Sequence, residues 1–434
     1  MNRHSHLRWA PAGAIALALA ALGGAAAAGE PCVLRGGETI AFFGDSITQN
    51  GGYVQYVDAF LATRFPDRQF RVLNLGISSE TISGTSEADH HPRRPWAHER
   101  FARDVATCQP DIVVACFGMN DGNYHPFERV RFQKFRAGIR LLIERCRELE
   151  ARLVLMTPPP FDPYRRRAGD RNAKDYGYKF PAIDYDHTLE VYSQWLLGLR
   201  EEGFLVADVH SATNRHLRAR RQEKVSFHLA PDAVHPDPTG HWLMAMCLLE
   251  TLRAPSTVAE AEIDAAAKTV RSGAVANLAV SPDRGVAFAW TTPLPLPRDS
   301  RWDGESVALE RVSARLSRYV LKVTGLPAER YRLEVDEAPV AEAAAADLAQ
   351  GIDLNALEKL PANMAAAHVL GLVQRRRRTV YQAWRRGIAT DQKGAGLAAI
   401  ETAEKETADL AEKIRQLAQP KAWAIRLRPL EKGR

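Results

Sequence analysis

The sequence predicts an α/β protein built on a doubly wound parallel sheet, and three observations support that prediction. Short apolar runs of strand length alternate with longer amphipathic stretches from residue 38 to about residue 252. The short runs are nearly continuous in apolar residues, as strands covered on both faces require. The repeated order of strand, helix and strand implies right-handed crossovers between parallel strands. We therefore expect a flavodoxin-like sheet of about five strands with helices on both faces.

The individual elements follow from the same patterns. The predicted strands lie at 39–44, 70–76, 111–118, 152–159 and 203–210. The predicted helices lie at 52–64, 95–108, 132–150, 187–202 and 235–253. Together these elements define a first domain over residues 29–254.

The pattern changes after Pro255. Residues 255–340 contain short alternating segments typical of a small β module, and the segments 318–325 and 330–337 are predicted to form a hairpin. Residues 341–434 are rich in alanine, glutamate and arginine, show no strand signal, and are predicted to form a helical extension. Within it, residues 397–417 predict one long amphipathic helix.

The N-terminus has the features of a secretory signal. A basic start precedes the apolar run APAGAIALALAALGGAAAA, and Ala26 and Ala28 occupy the small-residue positions before a cleavage site. The run is alanine-rich and shorter than the ~20 strongly apolar residues of a membrane span, although an uncleaved anchor is the alternative. We expect residues 1–28 to be removed and the mature chain, without a transmembrane segment, to be secreted or periplasmic.

Cysteines and charge add weaker constraints. The five cysteines (Cys32, Cys108, Cys116, Cys146 and Cys247) are widely spaced, so one or two disulfides are compatible with export but no pairing can be deduced. The net charge of +6 and the isoelectric point of about 9.1 are compatible with attraction to an acidic polysaccharide or envelope surface.

Ser46 is the first candidate for chemistry. It follows the first predicted strand in TIAFFGDSITQNGG, at the carboxyl end of that strand, where ligands collect in open α/β sheets. A serine at this position is equally compatible with a helix N-cap. A catalytic role requires a base, a group that orients the base, and donors for an oxyanion.

Three later segments supply such groups. Asp232 precedes His235 by three residues, an offset at which a carboxylate can reach an imidazole nitrogen; a surface ion pair is the alternative, and Asp237 and His241 lie nearby. Gly76 follows a strand and would let a substrate oxygen approach its amide, and Asn120 carries a donating side-chain amide. Both are also ordinary turn residues.

Together these segments resemble the four blocks of the SGNH (GDSL) hydrolase family. The matching residues, in order and approximate spacing over residues 36–253, are Gly44-Asp45-Ser46-Ile47, Gly76, Gly118-x-Asn120-Asp121 and Asp232-x-x-His235. The resemblance implies Ser46 as nucleophile, His235 as base and Asp232 as its orienting partner. It also implies an oxyanion hole formed by the Ser46 amide, the Gly76 amide and the Asn120 side chain. Ser79 stands where many members have another glycine.

The activity implied by the resemblance is ester hydrolysis through an acyl-enzyme, without a metal or an organic cofactor. Export and polar loops around the expected cleft favour removal of O-acetyl or other short acyl groups from a small or polymeric carbohydrate. A lysophospholipase or short-chain lipid esterase is one alternative, and a non-catalytic envelope- or glycan-binding protein is another. The oligomeric state cannot be deduced.

Two further features are open to several interpretations. Six arginines and no acidic residue lie between Gly371 and Thr390, a pattern that favours a solvated helix face over nucleic-acid binding, with contact to an acidic glycan as a third interpretation. The polar segment 165–178 is compatible with a lid or with a surface loop. The remaining histidines match no compact metal-binding spacing.

Overall fold

The computed structural model describes residues 33–88, 90–165, 184–357, 359–390 and 392–430. The expected signal peptide, Cys32 and residues 166–178 of the polar segment lie outside the described residues. No helix in the described ranges combines the length and apolar character needed to cross a bilayer.

A parallel sheet forms the centre of the first domain. Its strands are β1 (Thr39–Gly44), β2 (Arg71–Asn74), β3 (Ile112–Cys116), β4 (Arg152–Met156) and β5 (Leu205–Ala207). Within the described residues they pair in the order β2-β1-β3-β4-β5, all parallel. This confirms the predicted doubly wound sheet, and the order places β1 beside β3 at its centre.

Helices cover both faces of this sheet. They are α1 (Ser46–Asn50), α2 (Gly52–Arg64), α3 (Ala97–Arg100), α4 (Arg129–Glu148), α5 (Tyr185–Gly198), α6 (Val209–Glu223) and α7 (Pro238–Thr251). The predicted helix at 95–108 is broken, since a π-helical turn at Phe101–Val105 and a 3₁₀ turn at Ala106–Cys108 follow α3. Helix α6 was not predicted; its N-cap is Asp208, whose carboxylate accepts the Ser211 N–H.

Residues after Pro255 form two further sheets and a helical layer. The strands are β6 (Thr257–Asp264), β7 (Thr269–Ser272), β8 (Val275–Val280), β9 (Val286–Thr292), β10 (Arg318–Thr324), β11 (Arg330–Val335), β12 (Ala338–Ala344), β13 (Ile352–Asp353) and β14 (Lys421–Pro429). The helices are α8 (Gly304–Leu309), α9 (Val312–Leu316), α10 (Ala345–Gln350), α11 (Pro361–Ile388), α12 (Ala395–Glu406) and α13 (Ala408–Ala418). The described strands pair in the orders β13-β10-β6-β7 and β12-β11-β14-β9-β8.

The predicted hairpin at 318–337 is wrong. Strands β10 and β11 both form, but β10 pairs in parallel with β6, and β11 pairs with β12 and β14 in the other sheet. Hydrogen bonding to strands distant in sequence therefore outweighs the local turn signal at Gly325.

The prediction of an entirely helical C-terminal segment is also wrong in part. The helices are present, but β14 ends the described chain as an inner strand between β9 and β11. Its side chains alternate between exposed and buried, with Trp423, Ile425 and Leu427 in the core. The single long helix predicted at 397–417 is two helices, α12 and α13, which meet at Thr407.

The first domain and the later residues share a core. Trp302 stacks on Trp242 of α7 with ring centroids 4.4 Å apart and meets Tyr56 of α2 edge-on. Arg64, at the end of α2, donates to the carbonyl oxygens of Pro255 and Leu316. The described residues accordingly form one compact unit.

Candidate active site

Ser46 is the first residue of α1, which begins just after strand β1 ends at Gly44. Its neighbour Asp45 is the N-cap of that helix, because the Asp45 carboxylate accepts the Ile47 N–H at 2.9 Å. The capping role is thus already filled, and the half-buried Ser46 side chain is available for other contacts. The N-cap interpretation of Ser46 is therefore wrong.

The Ser46 hydroxyl is hydrogen-bonded to the imidazole of His235, which lies near the C-terminal end of the first domain in sequence. Ser46 Oγ lies 2.8 Å from His235 Nε2, and His235 Nδ1 lies 2.7 Å from Asp232 Oδ2. An ionised Asp232 accepts a hydrogen bond from the Nδ1–H group, which leaves the Nε2 lone pair to accept a hydrogen bond from the Ser46 hydroxyl. The three residues thus form one hydrogen-bonded series.

Asp232 is fixed by the turn that contains it. Its Oδ1 accepts the backbone N–H groups of Val234 at 3.0 Å and His235 at 2.7 Å. Burial acts to raise the pKa of Asp232, but the hydrogen bonds from His235 and Val234 outweigh it and hold the pKa well below its usual range. Burial acts to lower the pKa of His235, but Asp232 outweighs it, so the pKa of His235 is raised above its ordinary value. The pair is therefore suited to stabilising a transient imidazolium.

The neighbouring Asp237 and His241 have other contacts. Asp237 is the N-cap of α7 and accepts the Gly240 N–H at 2.8 Å. His241 is buried, and its Nδ1 accepts the Tyr53 N–H at 3.3 Å. The geometry therefore separates this pair from the Asp232–His235 pair, which the sequence alone could not do.

Gly76 packs directly against the backbone of α1. A Cβ on Gly76 would lie 2.3 Å from the backbone nitrogen of Gln49, so only glycine fits. The Gly76 N–H donates to Asn74 Oδ1 at 2.9 Å, and the Gly76 carbonyl accepts the Tyr381 hydroxyl of α11 at 3.0 Å. Residues outside the four sequence blocks thus bond to the peptide units on both sides of Gly76.

Asn120 has its amide fixed from both sides. Its Nδ2 donates to the Glu80 carbonyl at 3.1 Å, and its Oδ1 accepts from Arg94 and from the Tyr124 hydroxyl, each at 3.1 Å. Arg94 is itself held by both carboxylate oxygens of Glu87, at 2.6 and 2.7 Å. One proton of Asn120 Nδ2 is used by Glu80, and the amide has a second proton to donate.

Buried carboxylates lie close to these groups. Burial raises the pKa of Asp45 to about 7 and that of Asp121 to about 6. Burial also raises the pKa of Glu80, despite its ion pair with Arg100. Unusual pKa values of this kind are frequent at functional sites.

Sequence reasoning did not identify the residues that orient the donors. Asn74, Arg94, Tyr124 and Tyr381 act on Gly76 or Asn120 through the hydrogen bonds above. No local motif marks Arg94 or Tyr381, which lie far in sequence from the groups that they contact. Asn74, two residues before Gly76, could have been suspected from its position at the end of a strand.

The described histidines outside this site have separate contacts. His98 bonds the Gly138 carbonyl, His210 bonds Asp186, and His216 contacts Glu310. Within the described part of the chain, no group of three or more His, Cys, Asp or Glu residues has the arrangement of a metal site. The described cysteines (Cys108, Cys116, Cys146 and Cys247) are buried free thiols.

A hydroxyl, an imidazole and a carboxylate hydrogen-bonded in series at the carboxyl ends of parallel strands are the arrangement found in serine hydrolases of the α/β class. Residues 42–243 match the model of the GDSL-like lipase/acylhydrolase family. An acetylxylan esterase from Geobacillus stearothermophilus is 28% identical over 243 residues, or 50% of this chain and 94% of that protein. Residues 42–243 therefore form a domain of the GDSL-like lipase/acylhydrolase family, and the chain is a carboxylic ester hydrolase.

One solved structure is similar over nearly the whole chain. It is that of a gut microbial diltiazem-metabolizing enzyme, with a TM-score of 0.75 and 22% identity, covering 92% of this chain and 98% of that one. At this identity the similarity concerns the fold, and it includes the residues after Pro255 as well as the first domain.

Proposed function

We propose that this chain is an exported serine esterase that removes O-acetyl or other short acyl groups from a carbohydrate. Ser46 is the nucleophile, His235 the base and Asp232 its orienting partner. The Ser46 amide, the Gly76 amide and the Asn120 side chain are the oxyanion donors. The observation that carries the proposal is the continuous hydrogen-bonded series from Ser46 Oγ to Asp232.

The reaction follows from this geometry in two halves. Ser46 Oγ attacks the ester carbonyl carbon while His235 Nε2 takes the hydroxyl proton, and a tetrahedral oxyanion forms. The carbon–oxygen bond to the alcohol then breaks, His235 returns the proton to the leaving alcohol, and the acyl group stays on Ser46. In the second half a water attacks the acyl-enzyme, again losing a proton to His235, and the carboxylic acid leaves with Ser46 restored.

The proposed oxyanion donors differ in whether their N–H groups already have a hydrogen-bond acceptor within the protein. Ser46 is the first residue of α1, where backbone N–H groups have no intrahelical acceptor. Asn120 keeps a proton to donate, whereas the Gly76 N–H is shared with Asn74 Oδ1. Such donors stabilise charge that develops only during the reaction, and loss of one typically costs ~10²–10³ in turnover.

Three observations support the carbohydrate and export parts of the proposal. The curated relative is an acetylxylan esterase. Polar side chains, among them Gln49 and Asn74, line a cavity whose wall includes Pro236, the residue after His235, as a sugar would require. The pattern of residues 1–28 is that of a secretory signal.

Hydrolysis assays with wild type and Ser46→Ala test the proposal. The substrates are p-nitrophenyl acetate, p-nitrophenyl octanoate and acetylated xylan. We expect hydrolysis of the acetate ester and release of acetate from the polymer, both abolished in Ser46→Ala. Preference for the octanoate ester would instead indicate a lipid esterase, and wild-type activity no higher than that of Ser46→Ala on every ester would refute catalysis.

A further inference from the structure

We propose that a cavity beside the reacting groups is a subsite for a carboxylate-bearing sugar, so that the preferred substrate is an acylated glycan that contains uronic acid. The inference rests on the proposed function, whose substrate class it narrows. The cavity lies between the first domain and α11, and its volume of about 370 Å³ is within the range of ligand pockets.

The cavity wall includes residues that flank or bond to the proposed catalytic groups. Pro236, next to His235 in sequence, forms part of its wall. Asn74 and Tyr381 also line it, and both bond to Gly76. In this proposal, a sugar bound in the cavity belongs to the same glycan as the sugar whose ester reaches Ser46.

The charge of the lining is one-sided. Arg301, Arg377 and Arg378 line the cavity, and none of the described lining residues carries a carboxylate. Arg377 Nε is paired with Asp58 at 2.5 Å and Arg301 with Asp299 at 2.5 Å, but neither carboxylate lines the cavity. Their remaining guanidinium protons can still donate to a ligand.

Arg378 is the cation with the least compensation. It is exposed, and within the described ranges its guanidinium has no carboxylate partner. Arginine donates in a planar fork that matches the two oxygens of a carboxylate. Arg378 is therefore the residue that we assign to the carboxylate of the uronate.

A buried histidine forms part of the cavity wall. His241 lines the cavity, is 2% exposed, and its Nε2 has no hydrogen-bond partner. Because Nδ1 accepts the Tyr53 N–H, the ring proton is on Nε2, which is a donor without an acceptor. Burial lowers the pKa of His241 to about 3, helped by His235 and Arg301, so the ring is neutral at working pH. Nε2 itself is shielded from solvent, so His241 contributes a neutral ring to the cavity wall and adds no positive charge there.

The remaining lining resembles a sugar site in its chemistry. Side-chain amides of Gln49, Asn50, Gln55, Asn74 and Gln374 contribute both donors and acceptors. Such groups match ring hydroxyls, which also donate and accept. The combination of these amides with the exposed Arg378 therefore favours a hydroxylated anion over an apolar acyl chain.

Binding is tested first, in the Ser46→Ala background, where no turnover can occur. Isothermal titration with an oligogalacturonate and with a neutral xylo-oligosaccharide measures the preference directly. We expect the acidic ligand to bind more tightly, with added salt reducing the difference. Arg378→Gln should weaken oligogalacturonate binding about tenfold, since a charged hydrogen bond is lost. Equal binding of the two ligands would overturn the inference.

Arg375→Gln is the matched control. Arg375 is an exposed arginine on the same helix and does not line the cavity, so its loss removes the same charge without removing a donor. Affinity for oligogalacturonate should stay within about twofold of the parent protein. An equal loss in both variants would show that only overall charge matters and would refute the subsite. Arg301→Gln provides a second cavity variant if Arg378→Gln does not fold.

Kinetics separate failure of the inference from failure of the proposed function. Acetate release is measured on an acetylated uronate-containing polymer and on acetylated xylan, beside hydrolysis of p-nitrophenyl acetate. Hydrolysis of p-nitrophenyl acetate that requires Ser46, with no preference for the acidic polymer, would refute the subsite alone. Absence of Ser46-dependent hydrolysis of any ester would refute the proposed function.

Discussion

Tyr381→Phe tests whether the residues after Pro255 contribute to catalysis. The Tyr381 hydroxyl of α11 donates to the Gly76 carbonyl at 3.0 Å. The backbone amide of Gly76 is one of the proposed oxyanion donors. The substitution removes one oxygen atom and keeps the ring. It therefore releases the Gly76 carbonyl, in the peptide unit next to the one that carries the Gly76 N–H, from α11 while leaving the ring packing near Trp384 in place.

The size of the effect follows from the bond that is lost. A neutral intramolecular hydrogen bond contributes a net ~0.5–1.5 kcal/mol. If all of that free energy acts on the transition state, kcat falls between about twofold and about tenfold. The loss should stay below the ~10²–10³ expected for removal of a donor itself, since the Gly76 N–H remains present.

The assay is the steady-state rate with p-nitrophenyl acetate, a small neutral ester that does not need the arginine-lined cavity. Tyr319→Phe is the matched control. Its hydroxyl bonds Thr292 at 2.9 Å inside the later sheets, with no contact to Gly76. We expect both variants to lose similar stability to urea and only Tyr381→Phe to lose kcat. A kcat equal to that of wild type in Tyr381→Phe would refute the argument that α11 supports the oxyanion donor.

Three further predictions concern the base, a donor and the shared core. Asp232→Asn should lower kcat by about 10²–10⁴ and move the acid limb of the pH profile of kcat/KM to lower pH. The shift follows because neutral His235 is the active form and Asp232 raises its pKa above 6.5; an unshifted limb would contradict this. Asn120→Ala should lower kcat by ~10²–10³ with little change in KM, so a loss expressed in KM alone would argue for ground-state binding. Trp302→Ala should lower the free energy of unfolding by about 3–5 kcal/mol in urea titrations, because the ring is buried against Trp242, and a change below 1 kcal/mol would exclude a shared core.

The positions of the candidate site residues could be predicted from the sequence, whereas the residues that hold them in place could not. Ser46, Gly76 and Asn120 each follow a strand of the parallel sheet, so their common edge follows from the fold class. Arg94 and Tyr381 show no such regularity. Their roles depend on which atoms meet after folding, and single-sequence patterns contain no information on contacts between residues so far apart.

The errors in the fold have a similar cause. The alternation of Trp423, Ile425 and Leu427 was a strand signal, but an alanine- and arginine-rich segment obscured it. Arg377 was expected on a solvated helix face, yet it is buried and paired with Asp58 of α2. A charged residue is buried only where a partner compensates it, and such a partner cannot be recognised before the two helices are known to pack together.

The contacts of α11 connect the later residues to the proposed oxyanion donor Gly76 by two routes. Tyr381 bonds the Gly76 carbonyl, and the buried ring of Trp384 lies beside the guanidinium of Arg100. Arg100 in turn donates to the Leu75 carbonyl at 2.8 Å and pairs with Glu80. Both ends of the segment that carries Gly76 therefore depend on one helix, which also lines the arginine-rich cavity. A helix that merely covered an apolar face would need neither polar contact, so the geometry argues that α11 is part of the construction of the site.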